Sequence, residues 1–188
     1  MRFVLFGLLA LFTGFDAAHL AAQSPAPYKG QQAREIKALS AEDIQSLLKG
    51  EGMGLAKAAE LNLFPGPLHV LQLTGDLSLS ERQKGEVQGV FDRMKTRAVA
   101  LGRRIVELER ELDRAFATRS IEARSLERQV AEISRLQGEL RSVHLAAHLE
   151  TLPLLTPHQA RRYAELRGYL DGPSAPEQFP GHGHGMKH

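Results

Sequence analysis

The chain has 188 residues, a length typical of one domain, and 43% of them are hydrophobic, which is enough for a core. It carries 24 basic and 22 acidic residues, so its formal net charge is only +2. This balance does not indicate a phosphate-binding surface, and we expect no nucleic-acid partner. Aromatic residues make up 6%, tryptophan is absent, and Ala, Leu, Glu and Arg are abundant, which favours an all-helical fold over a β-sandwich.

Residues 1–22 have the layout of a secretory signal peptide. Arg2 precedes the apolar run FVLFGLLALFTGF, which is too short to span a bilayer as a mature helix, and small residues follow up to Ala21 and Ala22. We predict export and cleavage after Ala22; a buried core helix is the alternative. The chain contains no cysteine, which excludes disulfides, thiolate catalysis and a lipid-modified cysteine.

Glycines and prolines divide the segment that follows. Residues 23–38 are polar and contain proline, so we expect a flexible segment, with a helical domain over residues 39–170. Short helices are predicted at residues 40–49, 55–62 and 69–73. The sequence GEGMG at residues 50–54 resembles a phosphate-binding loop, but no strand precedes it and no Lys-Ser/Thr pair follows. A flexible joint between helices is therefore the preferred interpretation.

Two heptad patterns predict a long helical hairpin. In the first, apolar or small residues recur at alternating steps of four and three: Val87, Phe91, Met94, Ala98, Leu101, Ile105, Leu108, Leu112 and Ala115. This predicts a helix of about 37 residues, roughly 55 Å long, whose apolar stripe needs a partner. The second pattern, led in by Leu126 and Val130, contains Ile133, Leu136, Leu140, Val143 and Ala147.

The second helix is expected to fold back antiparallel on the first. Residues 116–124 interrupt the pattern between them, and Ser120 is the predicted cap of the second helix. Pro153 is expected to end that helix. A last helix is predicted from Pro157, at the favoured first helical position, to about Tyr169.

Two similar pentapeptides, LSERQ and LTPHQ, precede the first predicted long helix and the last predicted helix. In both, a hydroxyl residue follows a leucine and a glutamine comes three positions later: Leu79, Ser80 and Gln83, then Leu155, Thr156 and Gln159. The hydroxyl can accept from a backbone amide one turn into the helix, and the glutamine can reach back to the N–H of the cap. The pentapeptides therefore predict two helix starts, with LSAED at residues 39–43 as a weaker third.

The chain resembles the Spy/CpxP family of periplasmic proteins, whose signature is L-T-x-x-Q. The resemblance rests on the repeated pentapeptide, the predicted hairpin between its two copies, the predicted export signal and the absence of cysteine. LTPHQ matches the signature fully, whereas LSERQ has Ser80 in place of threonine, and the similarity covers about residues 68–169. The segment from Gly52 to Leu73 is similar to the leader of a subgroup described as Spy/CpxP-like refolding chaperones. The resemblance implies an all-helical, cradle-shaped homodimer that binds unfolded or misfolded envelope proteins without ATP during envelope stress.

A hairpin only two helices thick cannot bury both of its faces, so apolar residues off the heptad seam are expected to dimerise or to contact clients. The basic residues nearby are expected to attract acidic client segments. The predicted client-binding residues are Val90, Leu145, Leu149 and Leu152, with Arg93, Arg97, Arg104 and Arg141. In the alternative interpretation, the apolar residues pack on the short amino-terminal helices.

Histidines suggest two metal sites. His144 and His148 lie one helical turn apart, so both rings can face a Zn, Ni or Cu ion; Leu145 takes the place of the glutamate that a protease H-E-x-x-H motif requires. Two ligands are an incomplete site, and an interface or core role is the alternative. Residues 171–188 are predicted to be a disordered tail, with soft or borderline ligands for copper, nickel or zinc at His182, His184, Met186 and His188, or else an inert terminus.

Two function hypotheses follow. The first is a periplasmic, ATP-independent holding or refolding chaperone that requires no cofactor. The second is a periplasmic sensor or accessory protein that binds divalent Cu, Zn or Ni and acts on a membrane partner, such as an inner-membrane sensor kinase. We do not expect an enzyme, because the sequence shows no nucleophile elbow, no thiol and no complete metal triad.

Overall fold

The computed structural model describes residues 26–170. The signal peptide predicted at residues 1–22 and the tail predicted at residues 171–188 lie outside this range. The chain divides into two units, the first ending at Ala33 and the second beginning at Arg34. In the described part of the first unit, the only regular element is a short 3-10 turn, Gln31–Ala33.

The second unit is all-α over its described residues, as predicted. Its two long helices form the predicted hairpin, and shorter helices lie before and after it in the chain. The helices are α1 (Ala41–Lys49), α2 (Lys57–Glu60), α3 (Pro67–Gln72), α4 (Glu81–Ala117), α5 (Ala123–Thr151) and α6 (Pro157–Leu166), with a 3-10 turn (Leu152–Leu154) between α5 and α6.

The heptad pattern correctly predicts the seam between α4 and α5. The two helices pack against each other along most of their length, because each has an apolar stripe that the partner helix covers. The other residues of the two heptad patterns are half-buried, except the lead-in residue Val130, which is exposed. The buried seam residues are Val87, Ala98, Ile105 and Leu108 on α4, and Ile133, Leu136, Leu140, Val143 and Ala147 on α5.

The connection between α4 and α5 corrects the prediction for Ser120. Its backbone N–H donates to Ala115 O at 3.0 Å, and the N–H of Arg119 donates to Phe116 O at 3.1 Å. With Arg119 in the left-handed region at φ 55°, these bonds close the carboxyl end of α4 as a Schellman motif. Ser120 therefore belongs to the end of α4, and Glu122 is the residue that precedes α5 as its cap.

Helix α1 lies close to the backbone of α4. Its buried side chains Ile44 and Leu47 belong to the same core as Ala98 and Ile105. Gly102 permits this approach, because a Cβ at that position would lie 2.0 Å from the carbonyl oxygen of Leu47. The first of the short helices therefore covers part of the hairpin that the two long helices leave open.

A second core cluster lies around the two pentapeptides. Leu79 and Leu155 are buried there together with Val70 of α3 and Tyr163 of α6. Helix α6 ends at Leu166, earlier than predicted, because Gly168 adopts a left-handed conformation at φ 72°. The amino end of the hairpin is thus enclosed by α3 and α6.

Short helices α2 and α3 fall near their predicted positions. Helix α2 spans four residues within the predicted range of 55–62. Helix α3 begins at Pro67 and not at residue 69, because a proline suits the first helical position, where its missing N–H costs no hydrogen bond. Among the helices between residues 26 and 170, none combines the length and the apolar character needed to cross a bilayer.

Candidate functional site

Both pentapeptides form capping boxes. Ser80 Oγ accepts from the backbone N–H of Gln83 at 3.3 Å, and Gln83 Oε1 accepts from the N–H of Ser80 at 3.0 Å. Thr156 and Gln159 repeat this geometry at 3.2 and 2.9 Å. Each glutamine oxygen thereby binds a backbone amide that has no partner within its helix.

The two glutamines also bind each other, which the sequence analysis did not predict. Gln83 Nε2 donates to Gln159 Oε1 at 2.8 Å and to Leu154 O at 2.9 Å. Gln159 Nε2 donates to Leu77 O at 3.1 Å. We call Gln83 and Gln159 the glutamine pair. Its hydrogen bonds connect the start of α4 to the start of α6, so the two pentapeptides form one junction.

The signal for this junction is the choice of glutamine at the third position of each helix. A glutamate would cap the helix equally well through its oxygen, but only an amide also has a donor for a second chain segment. The two amide side chains therefore indicate that each glutamine can make a second hydrogen bond. Their spacing in the sequence does not show which chain segment accepts it.

The predicted client-binding residues do not form one continuous surface. Val90 is only 5% exposed and packs in the groove between α4 and α5, so its assignment to an exposed client face is wrong. Leu149 is 60% exposed, and Leu145 and Leu152 are half-buried. Leu145 and Leu149 lie one turn apart on α5, and Leu152 directly follows its last residue, so the three leucines share one side of this helical segment.

The predicted arginines are divided between separate surfaces. Arg93 pairs with Glu150 at 2.8 Å, and both residues line the same groove as Arg97. Arg141 instead lines a groove with Leu39 and Leu55 on the side of the hairpin where α1 packs.

Arg104 pairs with Glu107 at 3.3 Å on the same helix. Exposed pairs of this kind contribute little to stability. The pairs Arg104–Glu107 and Arg93–Glu150 therefore add charge to the surface without stabilising the fold appreciably.

His144 and His148 are both buried, and His148 already has a polar partner. Its Nδ1 lies 2.7 Å from the backbone oxygen of Phe64 and 3.7 Å from Glu60 Oε2. Over residues 26–170, no three His, Cys, Asp or Glu side chains come together as a metal site. The pair therefore gains no third ligand there, and the predicted ligands His182, His184, Met186 and His188 lie outside the described residues.

A polar network that sequence reasoning missed is centred on Glu60. Its Oε1 accepts from the Tyr163 hydroxyl at 2.6 Å and from Arg167 Nε at 3.2 Å. Tyr163 also accepts from the N–H of Gly66 at 3.3 Å. Burial raises the pKa of Tyr163, and its hydrogen bond to Glu60 raises the pKa further. Glu60 and Tyr163 are far apart in the chain, so no spacing pattern indicates this contact.

The network borders a cavity of about 540 Å³ between the 50–54 joint, α2, α3 and the hairpin. His144 lines the cavity and is 4% exposed, and its Nε2 has no hydrogen-bond partner. Burial lowers the pKa of His144, and the nearby charges of His148 and Lys95 lower it further. The cavity lining therefore combines a buried histidine of lowered pKa with both basic and acidic side chains.

Comparison of the chain with protein-family models, curated proteins and solved structures gives no match. The resemblance to the Spy/CpxP family therefore stays a prediction based on the two pentapeptides, the hairpin between them and the apparent export signal.

Proposed function

We propose that the protein is an exported, ATP-independent chaperone that holds non-native polypeptide on apolar side chains of α5 and neighbouring elements. The observation that carries the proposal is the leucine stripe, defined as Leu145 and Leu149 of α5 and Leu152 directly after it. Its central residue is 60% exposed, whereas seam residues of the same helix are buried. The exposed leucine does not belong to the buried seam and is available for contacts with another chain.

Other exposed apolar residues support the proposal. Leu61, directly after α2, is 62% exposed, and α2 packs on α5. Leu68 of α3 is also exposed. Several separate apolar side chains suit the weak and adaptable contacts that a holding chaperone makes with unrelated clients.

The hairpin is a suitable scaffold for such a surface. The α4–α5 seam is buried, and Gln83 at the start of α4 is hydrogen-bonded to Leu154 O in the turn after α5 and to Gln159 at the start of α6. The leucine stripe is therefore displayed on a helix whose opposite side is held by packing. A rigid helix can present apolar groups without losing order when no client is bound.

Location and assembly form the second part of the proposal. The predicted signal peptide and the family resemblance support action in the periplasm on unfolded or misfolded envelope proteins. The resemblance also supports a homodimer, in which two leucine stripes contribute to one client surface. Light scattering on the chain from Gln23 onward measures this assembly directly.

The holding activity is tested with an unrelated, chemically denatured client diluted into buffer without nucleotide. We expect the chain from Gln23 onward to reduce client aggregation, and the variant Leu149→Ser to lose several-fold of that effect. Val130→Ser is the matched control, because Val130 lies on the same helix, is 45% exposed and is not part of the leucine stripe. Absence of any effect at several-fold molar excess, or equal losses in the two variants, contradicts the proposal.

A further inference from the structure

The cavity beside His144 combines apolar walls with unpaired positive charge. Phe91 and Met94 of α4 and Pro67 of α3 form apolar parts of its lining. Lys57 of α2 and Lys95 of α4 also line it. At about 540 Å³, the cavity falls within the size range of small-molecule sites, which are mostly apolar with a few polar groups.

The acidic residues of the lining are already occupied. Glu60 accepts hydrogen bonds from Tyr163 and Arg167, and Glu51 accepts from Ser46 Oγ at 2.8 Å.

By contrast, neither Lys57 nor Lys95 forms an ion pair within residues 26–170. The lining contains Lys57, Lys95 and Arg167 against the carboxylates of Glu51 and Glu60, so it has a formal surplus of one positive charge that would attract an anionic ligand.

His144 is a buried polar residue in the cavity lining. It is a polar side chain more than nine-tenths buried, and one of its ring nitrogens has no partner. That nitrogen has almost no accessible surface, so a molecule in the cavity would not reach it directly.

The joint at the cavity edge is conformationally unusual. Met53 lines the cavity and lies in the left-handed region at φ 47°, which is costly for a residue with a side chain. The long, unbranched methionine side chain also adapts readily to the shape of an apolar ligand.

We propose that this cavity binds a small amphipathic carboxylate, with its carboxylate between Lys57 and Lys95 and its apolar body against Phe91 and Met94. A singly charged carboxylate matches the one-charge surplus of the lining better than a doubly charged phosphate. The proposal goes beyond polypeptide holding and does not depend on it. The leucine stripe contributes no residue to this cavity lining.

Calorimetric titration of the full chain from Gln23 onward with decanoate, below its micelle concentration, tests the site. We expect saturable binding of decanoate, weaker binding of decanol, and none of acetate. Lys95→Gln should weaken decanoate binding by about 2- to 5-fold, the effect of removing one partly exposed charge pair. Arg103→Gln is the matched control, because Arg103 is an exposed cation of the same helix outside the cavity.

Lys57→Gln provides a second variant at an exposed position in case Lys95→Gln impairs folding. Leu149→Ser should leave decanoate binding unchanged, so failure of client holding and failure of this site give different results. Equal binding of decanol and decanoate, equal effects of Lys95→Gln and Arg103→Gln, or no binding at millimolar decanoate overturns the proposal.

Discussion

Gln83 and Gln159 perform two tasks with the two ends of one amide group. Their oxygens cap the first turns of α4 and α6, and their nitrogens donate across the junction. A glutamate at either position would retain the first task and lose the second. A glutamate substitution can therefore measure how much the junction stabilises the protein beyond helix capping alone.

The substitution Gln159→Glu tests this distinction. Its oxygen can still accept from the N–H of Thr156, but Leu77 O loses its donor in a buried position. We expect the free energy of unfolding to fall by about 1–3 kcal/mol, the cost of leaving a buried polar group unsatisfied. Urea denaturation followed by circular dichroism measures the change.

His158→Glu is the matched control. His158 is exposed in the first turn of α6, so the substitution adds a carboxylate near the same helix start without touching the junction. A carboxylate there is neutral or slightly stabilising because of the helix dipole. Equal destabilisation by the two variants would show that added charge, and not the lost donor, causes the effect.

At the scale of helices, the sequence predicts most elements because their signals are local. The heptad steps identify α4 and α5, and the hydroxyl-glutamine spacing identifies the starts of α4 and α6. The Ser120 prediction failed because Arg119, a residue without special preference for positive φ, ends α4 in the left-handed conformation. Helix ends of this kind depend on packing more than on residue type.

The contact between α1 and α4 depends on Gly102. In Gly102→Ala, the new Cβ would lie 2.0 Å from the carbonyl oxygen of Leu47, a backbone atom that cannot move without displacing α1. We expect the free energy of unfolding to fall by about 1–3 kcal/mol or more, as in other overpacked cores. Urea denaturation provides the measurement.

Gly85→Ala provides the comparison on the same helix. A Cβ at Gly85 meets nothing within 4 Å, so alanine should stabilise α4 by about 0.5–1 kcal/mol through its higher helix propensity. The two variants should therefore change stability in opposite directions. A stabilising effect of Gly102→Ala would refute the close contact between α1 and α4.

At the scale of the whole unit, the cavity was the least predictable feature. Its lining comes from the joint, α2, α3 and both hairpin helices, and its polar network joins Glu60 to Tyr163. Sequence spacing marked His144 and His148 as neighbours, but it gave no sign that Phe64 O would bind one ring. Contacts between distant segments depend on tertiary packing, which local patterns do not encode.

Burial of His144 also makes the stability of the unit depend on pH. The folded state lowers the pKa of His144 below its ordinary value of 6.5, so the unfolded chain binds this proton more readily. Stability should therefore decrease as pH falls through 6.5 toward the lower folded value. In His144→Leu, urea denaturation between pH 7.5 and 5.5 should show a weaker loss than in the wild type.

His158→Gln serves as the control for this experiment, because His158 is exposed on α6. Its stability should follow the wild-type pH dependence. If the His144→Leu curve runs parallel to that of the wild type, protonation of the buried ring is not the cause of the acid response.

The glutamine pair has a consequence for the order of folding. Its two residues are separated by 76 positions, whereas the turn between α4 and α5 joins neighbouring segments. Closing a long loop costs more chain entropy than forming a local turn, so hairpin assembly should start at the turn and proceed toward the junction. Contacts that form after the rate-limiting step mainly slow unfolding. The junction between the two pentapeptides would then form late in folding. It would lower the unfolding rate of the chain more than it raises the folding rate.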